Sequence, residues 1–139
     1  MIQVFKEIKV QTNGQKLIKI TNKILDVVNN TSIKEGILNL SILHTSASLI
    51  VQENTDPDVQ KDLLNFFDST VPMNSNLYIH NSEGKDDMPA HIKTALTNTH
   101  ISFSIRSKKL ILGTWQGIYL FEHRLNNQNR TILAHILGN

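Results

Sequence analysis

The stretch ILHTSASLIVQE, residues 42–53, sets two apolar runs around a polar interruption headed by an imidazole. Residues 36–43 read as one strand and residues 47–52 as another, flanking or continuing through that interruption. His44, Thr45, Ser46 and Ser48 are poor core material, because every buried polar group must find a hydrogen-bond partner. They suit a pocket wall between two core strands, with His44 aimed at a ligand or metal and the hydroxyls binding substrate or orienting neighbours.

Outward from this point the chain alternates strands with short helical segments. Ile2, Val4, Ile8 and Val10 predict a strand, bulged or irregular near Phe5. Thr12-Asn13-Gly14-Gln15 supplies a hairpin turn, since Asn-Gly suits positive φ, and Leu17, Ile18 and Ile20 form the returning strand. Thr21 can cap a helix whose apolar face is Ile24, Leu25, Val27 and Val28. Asp56-Pro57 opens a second helix, with Val59, Leu63, Leu64, Phe66 and Phe67 on its buried side. Residues 77–80 read as a short strand, 81–87 as a polar loop, and Pro89 begins a third helix carrying Ile92, Ala95 and Leu96. The rest is β-like: 101–105, a turn at 107–109, 110–112, 116–123 and 131–137, the last two joined by residues 126–129 as a hairpin loop. Strands with inserted helices predict a single α+β domain over residues 1–139, mainly antiparallel sheet with about three inserted helices.

A chain of 139 residues can bury a real core. With 40% hydrophobic and 19% charged residues it falls among ordinary globular proteins. A formal charge of +2, with no Arg/Lys block and no basic–aromatic interleaving, argues against a nucleic-acid partner. No stretch approaches the roughly 18 apolar residues of a membrane span, so no membrane association is expected and the cytoplasm is the default location. The absence of cysteine removes disulfides, thiolate nucleophiles and Cys-type zinc sites together.

Chemistry must therefore come from imidazoles, carboxylates and hydroxyls. Of the six histidines, His44 lies at a strand end beside hydroxyls, His80 opens the Gly84-containing loop, and His91 sits in the first turn of the following helix. A strand end, a loop and a helix start can converge on one cleft. Neutral imidazoles with an open position are a common catalytic zinc arrangement, and Asp86, Asp87 or Glu53 could hold a distal ring nitrogen. No HExxH, P-loop, GxGxxG or nucleophile elbow is present. Asp56 and Asp58 read as helix-capping acids, whereas Glu53 fits either capping or a site. Trp115 lies between Gly113 and Gly117, as core or as a ligand contact, with Thr114 and Gln116 offering hydrogen bonds. Arg124 fits an anion contact or a solvated strand end.

Three blocks, HTSASLIVQENTDPDV (44–59), HNSEGKDDMPAHIKTAL (80–96) and LGTWQGIYLFEHR (112–124), together resemble the signature of the secondary thiamine-phosphate synthase, or YjbQ-like, family. The resemblance implies one α+β domain assembling as a homotrimer, with sites near subunit boundaries. It implies a histidine pocket, His44, His80 and His91, able to hold a divalent metal such as zinc or magnesium. Glu53, Asp87 and Glu122 are then the candidate catalytic carboxylates. Thr45, Ser46, Lys85, Trp115, Gln116 and Arg124 are the candidate contacts to a small phosphorylated substrate; only some members match Arg124. The implied activity joins hydroxymethylpyrimidine diphosphate to thiazole phosphate and releases pyrophosphate. Two alternatives remain open: a metal-dependent hydrolase of a small phosphorylated or acyl substrate, with Glu53 or Asp87 as base, and a non-catalytic trimer that binds a ligand or metal.

Overall fold

A computed structural model describes residues 1–139. Eight strands and three helices follow one another as β1 (Ile2–Asn13), β2 (Lys16–Lys19), α1 (Thr21–Asn29), β3 (Gly36–Ile42), β4 (Ala47–Glu53), α2 (Pro57–Thr70), α3 (Asp87–Leu96), β5 (His100–Arg106), β6 (Lys109–Leu110), β7 (Gln116–Glu122) and β8 (Asn127–Gly138). The strands form two antiparallel sheets, a five-stranded one in the order β1-β8-β3-β5-β6 and a three-stranded one in the order β2-β7-β4. The α+β architecture expected from the sequence is thus the one observed. No helix is long and apolar enough to cross a membrane.

The two sheets enclose the core. Ile8, Val10, Leu38, Leu40, Ile132, Ala134 and Ile136 point inward from the larger sheet to meet Ala47, Leu49, Ile118 and Leu120, and Ile24 and Val28 of α1 join the same cluster. Each buried Val, Leu or Ile side chain contributes about 1.5–3 kcal/mol by leaving water. The opposite face of the smaller sheet carries Leu17, Tyr119 and Phe121, against which Leu63, Leu64 and Phe67 of α2 pack. No residue of α2 is fully buried, and Phe66 turns outward, 60% exposed. Its place on the expected buried side is therefore corrected: this helix covers a sheet face with a narrow stripe.

Strand partners differ from the sequence reading at the turns. The Asn13–Lys16 turn, with Gly14 at φ 105°, joins strands of different sheets and is not a hairpin. The same holds between β7 and β8. Asn-Gly chemistry fixes a sharp reversal but not the partner, and here β1 finds twelve paired positions along β8. That unbroken register also rules out a bulge at Phe5, whose ring faces outward and stacks on His135 at 4.2 Å. The tip at Ser107 and Lys108 is a true hairpin, both residues having positive φ as a type I′ turn requires.

Three local corrections bear on the site. Residues 77–80 are not a strand: a 3-10 turn spans Ser75–Leu77, with Asn74 Oδ1 accepting from Asn76 N, and no sheet edge is paired beyond it. The third helix begins at Asp87, two residues before Pro89, which its first turn tolerates. Thr21 does not cap α1, because its hydroxyl accepts the Ile118 N–H at 2.9 Å.

Close approach explains two glycines. A Cβ on Gly36 would run into the Leu137 carbonyl, and one on Gly138 into the Glu35 carbonyl. Gly138→Ala is expected to cost about 1–3 kcal/mol as the backbones separate, read as a lower urea midpoint at unchanged m.

Candidate metal centre

The interruption at residues 43–46 is the third place where the chain changes sheets, between β3 and β4. Each polar residue there has a definite partner. His44 Nε2 accepts the Thr131 N–H at 2.8 Å, taking over from the β3–β8 ladder where β3 leaves it. Burial, followed by the positive charge of Arg130, pushes the His44 pKa down, which suits a neutral acceptor ring. Ser46 accepts from Arg130 Nη2 through both its hydroxyl (3.0 Å) and its carbonyl (3.2 Å). The Thr45 carbonyl accepts from His91 Nδ1 at 2.8 Å.

That last bond locks one side of a cluster formed by His80, Asp87 and His91, whose donor atoms all lie within 4.8 Å of one another. Asp87 and His91 are one turn apart because α3 starts at Asp87, and the 3-10 turn delivers His80 from the other side. Asp87 Oδ2 is 2.6 Å from His80 Nε2 and 3.3 Å from His91 Nε2. Its Oδ1 accepts from Arg124 Nη1 at 2.7 Å. Burial alone would push the Asp87 carboxyl up, but the hydrogen bond from His80 and the charges of Arg124 and His91 outweigh it and hold the carboxyl below its usual range.

The donor set fits a divalent cation. Nδ1 of His91 gives its proton to the Thr45 carbonyl, which leaves Nε2 turned toward a carboxylate oxygen. At 3.3 Å from that oxygen, Nε2 either carries a proton of its own or shares a cation with the carboxylate. Tetrahedral zinc with bonds of about 2.0–2.1 Å places its donors about 3.3 Å apart. The His91–Asp87 spacing meets that value, and the His80–Asp87 hydrogen bond would open by less than 1 Å, roughly, to join it. The Thr45 carbonyl and Arg124 orient the ligating groups as supporting partners of a metal site do.

Arg124 is fully engaged. Nε donates to Asp86 Oδ2 at 2.9 Å, Nη1 to Asp87, and Nη2 to the Glu83 carbonyl at 3.1 Å. Asp86 also accepts the Leu125 N–H at 2.9 Å. Burial would raise the Asp86 pKa, but these bonds pull it below the ordinary value. The guanidinium thus clamps the loop before α3 to the β7–β8 corner. Lys85, in the same loop, is exposed and makes no side-chain hydrogen bond.

Glu122 lies one corner away, completely buried, and receives five donors. Arg130 Nε (2.7 Å) and Nη2 (2.5 Å) bind it as a fork; the Thr12 hydroxyl (2.5 Å) and the backbone N–H groups of His123 (3.0 Å) and Arg124 (3.2 Å) complete the set. All its lone pairs are used, and it ties β7 to β1 and β8. Arg130 and Thr12 were not among the sequence candidates. The signal was available: Arg130 shares parity with Ile132, Ala134 and Ile136 and so faces inward, where a lone cation needs an anion.

His123 is a second buried imidazole. Thr97 has one hydroxyl proton and gives it to the Lys93 carbonyl (2.7 Å), so it accepts from Ser48 (2.7 Å); Ser48 then accepts from His123 Nε2 (2.9 Å). Nδ1 is left without a partner. Burial, then the nearby Lys93 and Arg130 charges, lower its pKa from 6.5 to about 3. Above pH 6.5 the ring is neutral in both folded and unfolded chains; below it, only the unfolded chain takes up the proton. Stability is therefore lost as pH falls from about 6.5 toward 3, by about 2 kcal/mol at pH 5. Urea midpoints measured from pH 8 to pH 5 should show this loss, and His123→Leu should flatten the slope.

The remaining candidates lie elsewhere. In the β4–β7 register Ala47 faces Glu122 and Glu53 faces Gln116, so the two ends stand about 20 Å apart at ~3.4 Å per residue. The cluster and Arg124 occupy the first end, and Glu53, Trp115 and Gln116 the second. Glu53 Oε2 accepts the Asp56 N–H at 3.0 Å ahead of α2, while Asp56 itself caps the helix by accepting from Asp58 N. Trp115 is 62% exposed on a tight turn and belongs to no core. The structure thus brings together His80, Asp87, His91, Arg124 and the Thr45 carbonyl, leaves the neighbouring His44 ring outside the cluster on the Thr131 N–H, and puts Glu53, Trp115 and Gln116 at the far end of the sheet.

Two antiparallel sheets with a His–Asp–His cluster at a corner between them define a two-sheet α+β sandwich bearing a candidate metal centre. Residues 6–139 match the family described as UPF0047 protein YjbQ-like, and the chain belongs to that family. It is 46% identical to a UPF0047 protein of Synechocystis over 129 residues, covering 93% of this chain and 88% of that one. It is 44% identical to UPF0047 protein YjbQ of Salmonella typhimurium over 120 residues, covering 86% of each. Among solved structures, a YjbQ/UPF0047 family protein from Clostridium acetobutylicum superposes with a TM-score of 0.82 at 31% identity, covering 96% of this chain and 99% of that one.

Proposed function

We propose that the protein is a metal-dependent transferase acting on a small phosphorylated substrate, with His80, Asp87 and His91 as ligands of a divalent cation. The observation that carries this reading is the orientation of His91, whose Nδ1–H is spent on the Thr45 carbonyl so that Nε2, the nitrogen left to bind a ligand, faces Asp87. Two imidazoles and one carboxylate favour zinc or a similar transition metal over magnesium, which prefers oxygen. When bound, such a cation neutralises charge on a departing diphosphate. Arg124 is committed to Asp86 and Asp87, so the exposed Lys85 is the cation left in this loop to meet a phosphate.

The reaction is the joining of hydroxymethylpyrimidine diphosphate to thiazole phosphate. The carbon–oxygen bond to the diphosphate breaks, a carbon–nitrogen bond to the thiazole forms, and pyrophosphate leaves. The thiazole nitrogen attacks with a lone pair and carries no proton, so no general base is required. Hydrolysis would need one: Asp87 is occupied by Arg124 and both histidines, and the other carboxylate at the cluster is the exposed Glu83, 3.6 Å from His80 Nε2. Incubating the zinc-loaded protein with both phosphates should yield pyrophosphate and coupled product in equal amounts, and Lys85→Ala should slow the reaction. Pyrimidine alcohol or its monophosphate without coupled product would overturn transfer in favour of hydrolysis.

A further inference from the structure

We propose that Glu83 is an exchangeable fourth ligand of the centre: its carboxylate closes the cluster while no substrate is bound, and a phosphate oxygen takes its place. The inference rests on the metal-centred reading above and deepens it by naming the group that the phosphate displaces.

Geometry puts Glu83 beside the three ligands. Its Oε2 stands 3.6 Å from His80 Nε2, too far for a hydrogen bond and close to the roughly 3.3 Å that separates donors around tetrahedral zinc. The same carboxyl reaches Asp87. Two carboxyls side by side repel at neutral pH unless a proton or a cation lies between them. The backbone explains the approach. Gly84, at φ 109°, turns the chain back over the start of α3, and its carbonyl accepts the Asp87 N–H at 3.3 Å. The Glu83 carbonyl accepts from Arg124 Nη2 at 3.1 Å, so one guanidinium grips the main chain of Glu83 and the carboxylate of Asp87.

What sets Glu83 apart is how loosely its own carboxylate is held. Asp87 is buried and clamped by Arg124, and His91 is fixed by the Thr45 carbonyl. The Glu83 side chain is 65% exposed, and no N–H group bonds its carboxylate. Rotation about its side-chain bonds therefore carries it on or off the centre without moving the loop. A metal site with four protein donors is closed, whereas one with three keeps an open position. Glu83 gives the same site both forms. The exchange swaps one anionic oxygen for another, breaks no covalent bond, and keeps solvent off the position until the phosphate arrives. Because phosphate must displace a ligand, its apparent affinity falls by the fraction of chains in which Glu83 is off the centre.

Cobalt(II) reports its ligand set through its visible absorption, so cobalt-loaded wild type, Glu83→Asp and Glu83→Ala can be compared with inorganic phosphate as the probe. Glu83 lies on the surface, and both variants are expected to fold as wild type does. Glu83→Asp keeps the charge but falls one methylene short of the centre. Before phosphate is added, the two variants should share a spectrum that differs from that of wild type; at saturating phosphate all three spectra should coincide. Calorimetric titration should show phosphate binding about tenfold tighter in both variants, because nothing has to be displaced. Identical cobalt spectra for the three chains before phosphate, or wild-type phosphate affinity in Glu83→Asp, would overturn the proposal. A wild-type chain that takes up no cobalt overturns the metal reading and this inference together. Stoichiometric uptake with identical spectra overturns the role of Glu83 alone.

Discussion

Replacing Arg130 with methionine is expected to cost about 3–5 kcal/mol, the largest stability loss of any single change at the corner. The substitution keeps most of the volume but leaves Glu122 charged, fully buried and short of both fork bonds. The Ser46 hydroxyl and carbonyl lose their donor at the same time, loosening the β3–β4 crossing. The loss should appear as a lower urea midpoint with unchanged m. The double variant Glu122→Gln/Arg130→Met removes the stranded charge; its amide oxygen accepts the His123 and Arg124 N–H groups, and its amide nitrogen faces the Thr12 hydroxyl, which turns to accept. It should recover most of the loss. An Arg130→Met chain within about 1 kcal/mol of wild type would mean that the pair is solvated rather than buried.

Asp87→Ala is expected to weaken zinc binding by more than about 100-fold, beyond the roughly 10–100-fold typical of losing a supporting partner. Asp87 supplies the buried anionic donor of the cluster and is the group that both histidines face. Arg124→Gln removes no ligand but loses the clamp on Asp87 Oδ1 together with the bonds to Asp86 and the Glu83 carbonyl, and should fall within about 10–100-fold. Lys85→Ala, which touches no ligand, should leave metal affinity unchanged. Calorimetric titration of the four chains with zinc gives the order directly; equal affinities for wild type and Asp87→Ala would remove Asp87 from the centre.

Much of the fold was legible in the sequence because its strands obey a period of two and its second helix announces itself with Asp56-Pro57. The partners were not legible. Asn13-Gly14 carries reversal chemistry, and residues 126–129 read as a hairpin loop although 127–129 already belong to β8; whether the chain turns back on the same sheet or crosses to the other depends on contacts far along the chain. The interruption at His44–Ser48 was recognisable as something other than core, and its true role is a crossing between sheets that also offers a carbonyl to His91. His80 and His91 could be paired from their loop-and-helix context. The start of α3 at Asp87, which sets Asp87 and His91 one turn apart, was hidden by Pro89, a residue that marks a helix beginning without fixing it to one position. Trp115 and Gln116 looked contiguous with the histidines only because sequence blocks carry no direction along a strand.

The central claim is that His80, Asp87 and His91 hold one divalent cation in each chain. Zinc titration of metal-free wild type, His91→Ala and His44→Ala by calorimetry tests it most directly. The account predicts one zinc per chain for wild type and for His44→Ala, whose ring is spent on the Thr131 N–H, and loss of that binding in His91→Ala. No stoichiometric zinc in wild type, or binding that survives in His91→Ala and disappears in His44→Ala, would contradict it.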